Sequence, residues 1–166
     1  MVVIRDNVYV DFCEIEDKRF SVSLGRDGGT VRLLEDRRNF SFSLLLSRVA
    51  ACWLVGIVEE CMDFVSEVRF WRRYVGNGFS IIVDVMVNKR GSCLRLLKVA
   101  QGEGRMILIP EGSRRNGWRG FARTLSSTLK KWSADLSFIK GQRCEVNKEV
   151  SFVEAVQSQK RNGKEV

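Results

Sequence analysis

Apolar and polar residues alternate along four short stretches near the start of the chain, which is the pattern of β-strands with one buried face. The stretches cover residues 8–16, 18–26, 30–36 and 39–46. In the last of them the alternation directs Phe40, Phe42 and Leu44 inward and the serines between them outward. Asp-Gly-Gly at residues 27–29 suits a tight hairpin turn, because these residues tolerate positive φ. The four stretches together predict an antiparallel meander.

At Ser47 the period changes from two to nearly four, and serine is a residue type that begins helices. The residues Val49, Trp53, Ile57 and Cys61 follow at intervals of four, and their neighbours along the chain are also largely apolar. A helix that is apolar around so much of its circumference is predicted to be buried on more than one side.

The same succession begins again after residue 66. Strands are predicted at 67–75, 79–88, 92–100 and 105–111, and a second helix is predicted from about Asn116. The order β-β-β-β-α therefore occurs twice. One four-stranded sheet with one helix is too small to bury its apolar faces, so we expect the two units to share a core.

This pattern predicts an α+β fold made of two β-β-β-β-α repeats, each with an antiparallel four-stranded sheet. Residues 1–66 are predicted to form the first repeat and residues 67–133 the second. Residues 134–166 are predicted to be a C-terminal extension with one further strand at 149–156 and a disordered end from 158.

The composition is that of one globular domain, with 166 residues of which 45% are hydrophobic. No run of about eighteen uncharged apolar residues occurs, and Arg5, Asp6 and Asp11 interrupt what would be the core of a signal peptide. We therefore expect no membrane association and no secretion, which leaves a nuclear or cytoplasmic location.

The cysteine and histidine counts bear on chemistry. The five cysteines form no C-x-x-C pair, and the odd number argues against a disulfide framework or a thiolate zinc site. Histidine is absent, which removes the commonest general base and the commonest metal ligand. We therefore expect no catalytic residues, no metal and no cofactor, and predict that the protein is not an enzyme.

Charge is distributed unevenly along the chain. Residues 1–66 carry eight Lys and Arg against eleven Asp and Glu, whereas residues 67–166 carry twenty against nine. The net charge of the second part is thus +11, within a total of +8. A basic field of this size attracts polyanions such as nucleic acid, although it is also compatible with a solvated basic surface.

Several short motifs carry a resemblance to a known family. They are Lys18-Arg19-Phe20, Gly29 with Arg32-Leu33, Gly91 with Leu94-Arg95-Leu96, and Ile109-Pro110 followed by Trp118 and Phe121. Over about three quarters of its length the chain resembles two successive repeats of the PUR type, the purine-rich-element-binding family, whose β-β-β-β-α plan is shared with the Whirly proteins of plants.

The resemblance implies a pseudo-twofold PUR/Whirly-like module that binds single-stranded DNA or RNA on the sheet surfaces away from the helices. It also implies transcriptional or RNA regulation and a possible homodimer. An alternative from another class is a dimerisation or protein-interaction scaffold of the same fold, which the acidic first repeat favours.

Single-stranded nucleic acid requires a basic track for phosphates and flat side chains for stacking, and the strands and turns supply basic candidates. Arg32 and Arg95 occupy equivalent strand positions, although each is also compatible with a solvated or carboxylate-paired side chain. The run 69–75 interleaves basic and aromatic residues, and its Trp71 fits either a stacking role or packing against a helix. The predicted nucleic-acid-binding residues are Lys18, Arg19, Arg32, Arg72, Arg73, Lys89, Arg90, Arg95 and Arg105.

Overall fold

A computed structural model describes residues 7–25, 29–63 and 69–135. Its elements, in chain order, are β1 (Asn7–Ile15), β2 (Lys18–Gly25), β3 (Thr30–Arg37), β4 (Phe40–Ser47), α1 (Arg48–Asp63), β5 (Trp71–Val75), β6 (Phe79–Asn88), β7 (Gly91–Ala100), β8 (Glu103–Pro110) and α2 (Asn116–Asp135), with a 3₁₀ turn at Ser113–Arg115. The predicted order of four strands and a helix, occurring twice, is confirmed.

The eight strands form two antiparallel four-stranded sheets, each in simple consecutive order. The first sheet contains β1 to β4, and the second contains β5 to β8. The register places Val22 opposite Leu33 and Leu33 opposite Leu44, so the apolar positions of neighbouring strands meet on one face. All three side chains are buried, and this inner face forms part of the core.

Helix α1 begins as the sequence predicts. The Oγ of Ser47 accepts a hydrogen bond from the Ala50 amide at 3.2 Å, which caps the first turn. The helix contacts β3 and β4, the neighbouring strand β5 and the other helix. Trp53 lies 5.3 Å from Tyr74 of β5, measured between ring centroids. The prediction that α1 is buried on more than one side is confirmed.

Helix α2 packs against the sheet from the other half of the chain. It contacts β1 and β2, and Phe121 meets Phe20 edge to face with the ring centroids 5.9 Å apart. Trp118 is buried, and its indole nitrogen donates to the Ile109 carbonyl at 2.9 Å. The first sheet therefore depends on the second half of the chain to cover its apolar face.

The two sheets also meet at the edge strands β4 and β8, where charged side chains of each sheet bind main-chain groups of the other. Glu35 accepts a hydrogen bond from the Leu108 amide at 3.3 Å, and Lys18 donates to the Leu108 carbonyl at 2.8 Å. In the other direction, Lys98 donates to the Leu45 carbonyl at 2.5 Å. Glu35 and Lys18 pair at 3.0 Å, and both are buried. We call this set of contacts the edge clasp.

Some predictions lie outside the described residues. These are the side chain of Trp132, most of the turn at 27–29, and the strand and disordered end predicted beyond residue 135. Strand β5 begins at Trp71, later than the predicted stretch, of which residues 67–68 lie outside the described part.

Neither helix in the described part is long and apolar enough to cross a membrane. None of the four cysteines described there is in a disulfide.

Candidate nucleic-acid interface

The outer face of the first sheet carries part of the predicted basic track. Arg32 is exposed there, next to Ser23 on β2. Arg19 is also exposed, but it pairs with Glu14 at 2.7 Å and lies 4.7 Å from the centre of the Phe12 ring. This face therefore offers one exposed aromatic ring, with a guanidinium above it that is partly neutralised by a carboxylate.

On the second sheet, Arg95 lies on the outer face as predicted, but an acidic neighbour binds it. Its Nε and Nη2 reach the carboxylate of Asp84 at 2.8 and 2.5 Å, and Arg69 approaches the same carboxylate at 3.3 Å. Asp84 is only 1% exposed. The hydrogen bond to Asp84 raises the pKa of Arg95. Arg95 thus compensates a buried charge, which leaves less of its own charge for a ligand.

Two other predicted residues are engaged in the protein. Lys18 is buried in the edge clasp. Arg72 points to the inner side of the second sheet, where it pairs with Glu60 of α1 and lies 4.7 Å from the Phe70 ring centre. Both side chains serve contacts between elements, and neither is presented as part of an open basic track.

The remaining predicted residues are exposed but do not form one cluster. Arg73 lies on the edge strand β5, and Lys89 and Arg90 lie in the turn between β6 and β7. Arg105 is exposed on β8 and lines a groove between the two sheets. The structure therefore distributes the nine predicted residues over both sheets, and Arg105 combines exposure with a concave surface.

The prediction that Phe40 and Phe42 point into the core is wrong. Both lie on the same face of the first sheet as Leu44, as the alternation requires, yet they are 47% and 54% exposed. On β4 the buried part of this face ends at Leu44, although Phe20 and Glu35, at the level of Phe42 on β2 and β3, are buried. Alternation in the sequence shows on which face of the sheet a residue lies. It does not show how far along that face the other elements of the protein cover it.

The two phenylalanines form one wall of a groove between β4 and β8, with a volume of about 480 Å³. Their ring centroids lie 5.3 Å apart in an edge-to-face arrangement. Met106, which is 44% exposed, lines the opposite side. Arg37 places its guanidinium 5.2 Å from the centre of the Phe40 ring. We call this the inter-sheet groove.

Main-chain groups also face the inter-sheet groove. The edge clasp binds the carbonyl of Leu45 and both main-chain groups of Leu108, so these residues direct their amides and carbonyls away from their own sheets. Residues two positions apart in a strand direct their main-chain amides and carbonyls to the same side. Ser43 on β4 and Met106 on β8 line the groove and continue this pattern along it.

Positive charge predominates around the groove. The side chains of Arg37 and Lys18 share the single carboxylate of Glu35, at 2.8 and 3.0 Å. Burial, with a smaller effect of the positive charge of Arg105, lowers the pKa of Lys98. An anion bound between Lys98 and Arg105 would relieve this repulsion. The arrangement can hold a flat apolar group against the rings and a phosphate beside the arginines.

Comparisons with protein-family models and with curated protein sequences find no match to the chain.

Proposed function

We propose that this protein binds single-stranded DNA or RNA and acts as a regulator of transcription or of RNA. The observation that carries the proposal is the exposed pair Phe40 and Phe42, flanked by Arg37 and Arg105, in the inter-sheet groove. Proteins that bind unpaired strands combine aromatic side chains, on which bases stack, with cations that contact phosphates. This groove supplies both within one surface.

Exposure of the two rings supports a ligand role. Two neighbouring phenyl rings, each about half exposed, lose the hydrophobic stabilisation that they would gain inside the core. Because every base has a π-face, the rings would accept bases with little dependence on sequence. The guanidinium of Arg37 above Phe40 keeps a cation next to the stacking surface.

We also propose that the two halves are PUR-like repeats related by a pseudo-twofold axis, within a Whirly-like module. The edge clasp supports this, because Lys98 and Leu108 follow Glu35 and Leu45 by the same 63 residues. Glu35 contacts Leu108, and Lys98 contacts the counterpart Leu45. Equivalent positions thus make reciprocal contacts, as a twofold relation requires.

The test of the function is a double substitution, Phe40→Ala with Phe42→Ala, in the full chain. Since stacking contributes about 1–3 kcal/mol per base, we expect the affinity for a short single-stranded oligonucleotide to fall at least about tenfold. Fluorescence anisotropy at fixed salt measures this. Both rings are about half exposed and lie outside the core, so thermal unfolding should change little.

Two matched variants define the site. Phe40→Trp with Phe42→Trp keeps flat rings and should retain binding. Phe12→Ala removes the exposed ring on the outer face of the first sheet, and should leave the affinity within about twofold. If Phe12→Ala abolishes binding and the groove variant retains it, the nucleic-acid strand binds on the outer face of the first sheet. If wild-type protein binds no oligonucleotide, the proposed function is wrong.

A second candidate is capture of an extended peptide as an added strand. Main-chain groups of Ser43 and Met106 facing the groove favour it, because an edge strand can pair with another chain. Such binding would depend little on salt, whereas nucleic-acid binding weakens steeply as salt increases. The salt dependence of any ligand found for the groove therefore distinguishes the two.

A further inference from the structure

A second basic surface lies on α2, apart from the nine predicted nucleic-acid-binding residues. Arg119, Arg123, Ser126 and Lys130 follow one another at intervals of four, three and four residues, so they lie along one side of the helix. The three cationic side chains are exposed. The row spans about 16 Å, at 1.5 Å per residue. We call it the α2 stripe.

The stripe borders a groove of about 490 Å³ between the two helices. Met62 and Ala122 contribute apolar surface, Ser127 contributes a hydroxyl, and Lys131 adds a further cation. Glu59 of α1 is the carboxylate among the lining residues. Among the described residues that line this groove none is aromatic, in contrast to the inter-sheet groove, and bases stack on aromatic side chains.

The charge pattern of the stripe is unfavourable for the isolated helix. Like charges four residues apart, as at Arg119 and Arg123, destabilise a helix by a few tenths of a kcal/mol. In the described part of the chain, neither Arg123 nor Lys130 forms an ion pair. A row of uncompensated cations on a rigid helix instead complements a regular row of anions.

We propose that the α2 stripe binds the phosphodiester backbone of double-stranded nucleic acid. A duplex carries one negative charge per about 1.7 Å of its axis and keeps its bases stacked inside, so it requires cations and hydroxyls but no aromatic platform. The stripe offers cations and hydroxyls without aromatic rings. This site extends the proposed function, since the same molecule would hold an unpaired strand in one groove and a duplex region on α2.

The test replaces the three stripe cations together, as Arg119→Gln, Arg123→Gln and Lys130→Gln, in the full chain. The slope of log K against log salt is negative, and each lost phosphate contact reduces its magnitude by about 0.9. For a short blunt-ended DNA duplex the magnitude of the slope should therefore fall by about 2.7. The affinity for a short oligothymidylate should stay within about twofold. Circular dichroism and thermal unfolding show whether the variant is folded.

Two matched variants sharpen the test. Arg119→Lys with Arg123→Lys and Lys130→Arg keeps the charges and should retain duplex binding, because phosphate contacts of this kind depend on charge. Glu59→Gln removes a carboxylate from the groove wall and should strengthen duplex binding. Both changes leave the Phe40 and Phe42 surface untouched.

Three results would overturn the proposal. One is an unchanged duplex slope in the glutamine variant. Another is a parallel loss of oligothymidylate affinity, which would make the stripe part of the single-strand track. The third is binding of anionic lipid vesicles, lost in the variant, without duplex binding. If the proposed single-strand function is wrong, the wild-type protein binds no oligothymidylate. The duplex measurement is independent of this result, because wild type can still bind the duplex and the glutamine variant can still lose that binding.

Discussion

At the scale of the residue, Arg95 is held on the outer face of the second sheet by an ion pair with Asp84. Its strand position matches that of Arg32, which made both candidates for phosphate contacts. The structure places Arg32 in solvent but binds Arg95 to the buried carboxylate of Asp84. A charge reversal at Arg95 would therefore change both the stability of the protein and its affinity for nucleic acid, and the two effects would be mixed. Arg32→Glu alone is the informative substitution for the outer face.

The Asp84–Arg95 pair predicts a specific stability effect. Arg95→Met leaves Asp84 buried with Arg69 as its remaining ion-pair partner in the described part of the chain, so we expect a loss of about 2–3 kcal/mol, somewhat less than for a fully orphaned charge. Urea denaturation followed by circular dichroism measures it. The double variant Asp84→Val with Arg95→Met removes both charges and should recover most of the loss. A loss in the double variant equal to that in the single variant would contradict this account.

At the scale of elements, the start of α2 is fixed by a close approach of three chain segments. Gly117 follows the first residue of the helix, and its amide donates to the Glu111 carbonyl at 2.8 Å. A Cβ at this position would lie 2.7 Å from Cγ2 of Ile15 and would also collide with the Pro110 carbonyl. The absence of a side chain at Gly117 lets α2 join β8 while packing on β1.

We therefore expect Gly117→Ala to destabilise the fold by about 1–3 kcal/mol through overpacking, even though alanine favours helices. Gly120→Ala is the matched control, since it lies in the same helix and its Cβ would meet no atom within 4 Å. The control should stabilise the protein by up to about 1 kcal/mol. Thermal unfolding of the two variants should shift in opposite directions, and equal shifts would show that packing at Gly117 is not limiting.

At the scale of the whole molecule, the two halves of the chain cannot complete their cores separately. Helix α2 covers β1 and β2, and the edge clasp joins β3 and β4 to β7 and β8. Glu35 is 2% exposed and contacts Lys18, Arg37 and the Leu108 amide. The clasp therefore combines a buried charge network with capping of an edge strand.

Removing Glu35 should affect both sheets at once. Glu35→Ala leaves Lys18 buried without its carboxylate, for which we expect a loss of about 3–5 kcal/mol. Probes in both sheets should report one shared unfolding transition at lower urea concentration. Lys18→Met with Glu35→Leu should recover part of the stability. Separate transitions for the two sheets in wild type would show that the halves fold independently.

Much of the fold follows from local pattern, because alternation and the change of period at Ser47 report how the backbone repeats. The two predicted helices begin within a residue of their observed starts, and the cap at Ser47 forms as expected. The candidate site was less predictable. Phe40 and Phe42 were predicted to lie in the core, and Lys18 was predicted to bind nucleic acid. Both predictions misjudged burial because alternation does not show which part of a sheet face another element covers.

The sequence by itself determined the order of strands and helices, the face on which each strand residue lies and the excess of positive charge in the second half. These properties depend on neighbouring residues along the chain. Only the tertiary structure decided that Glu35 and Lys18 are buried, that Asp84 binds Arg95, and that the inter-sheet groove exists. The Asp84–Arg95 pair depends on the register between β6 and β7. The burial of Glu35 and Lys18 and the inter-sheet groove depend on where β4 and β8 meet, more than sixty residues apart along the chain, so they are set by distance in space.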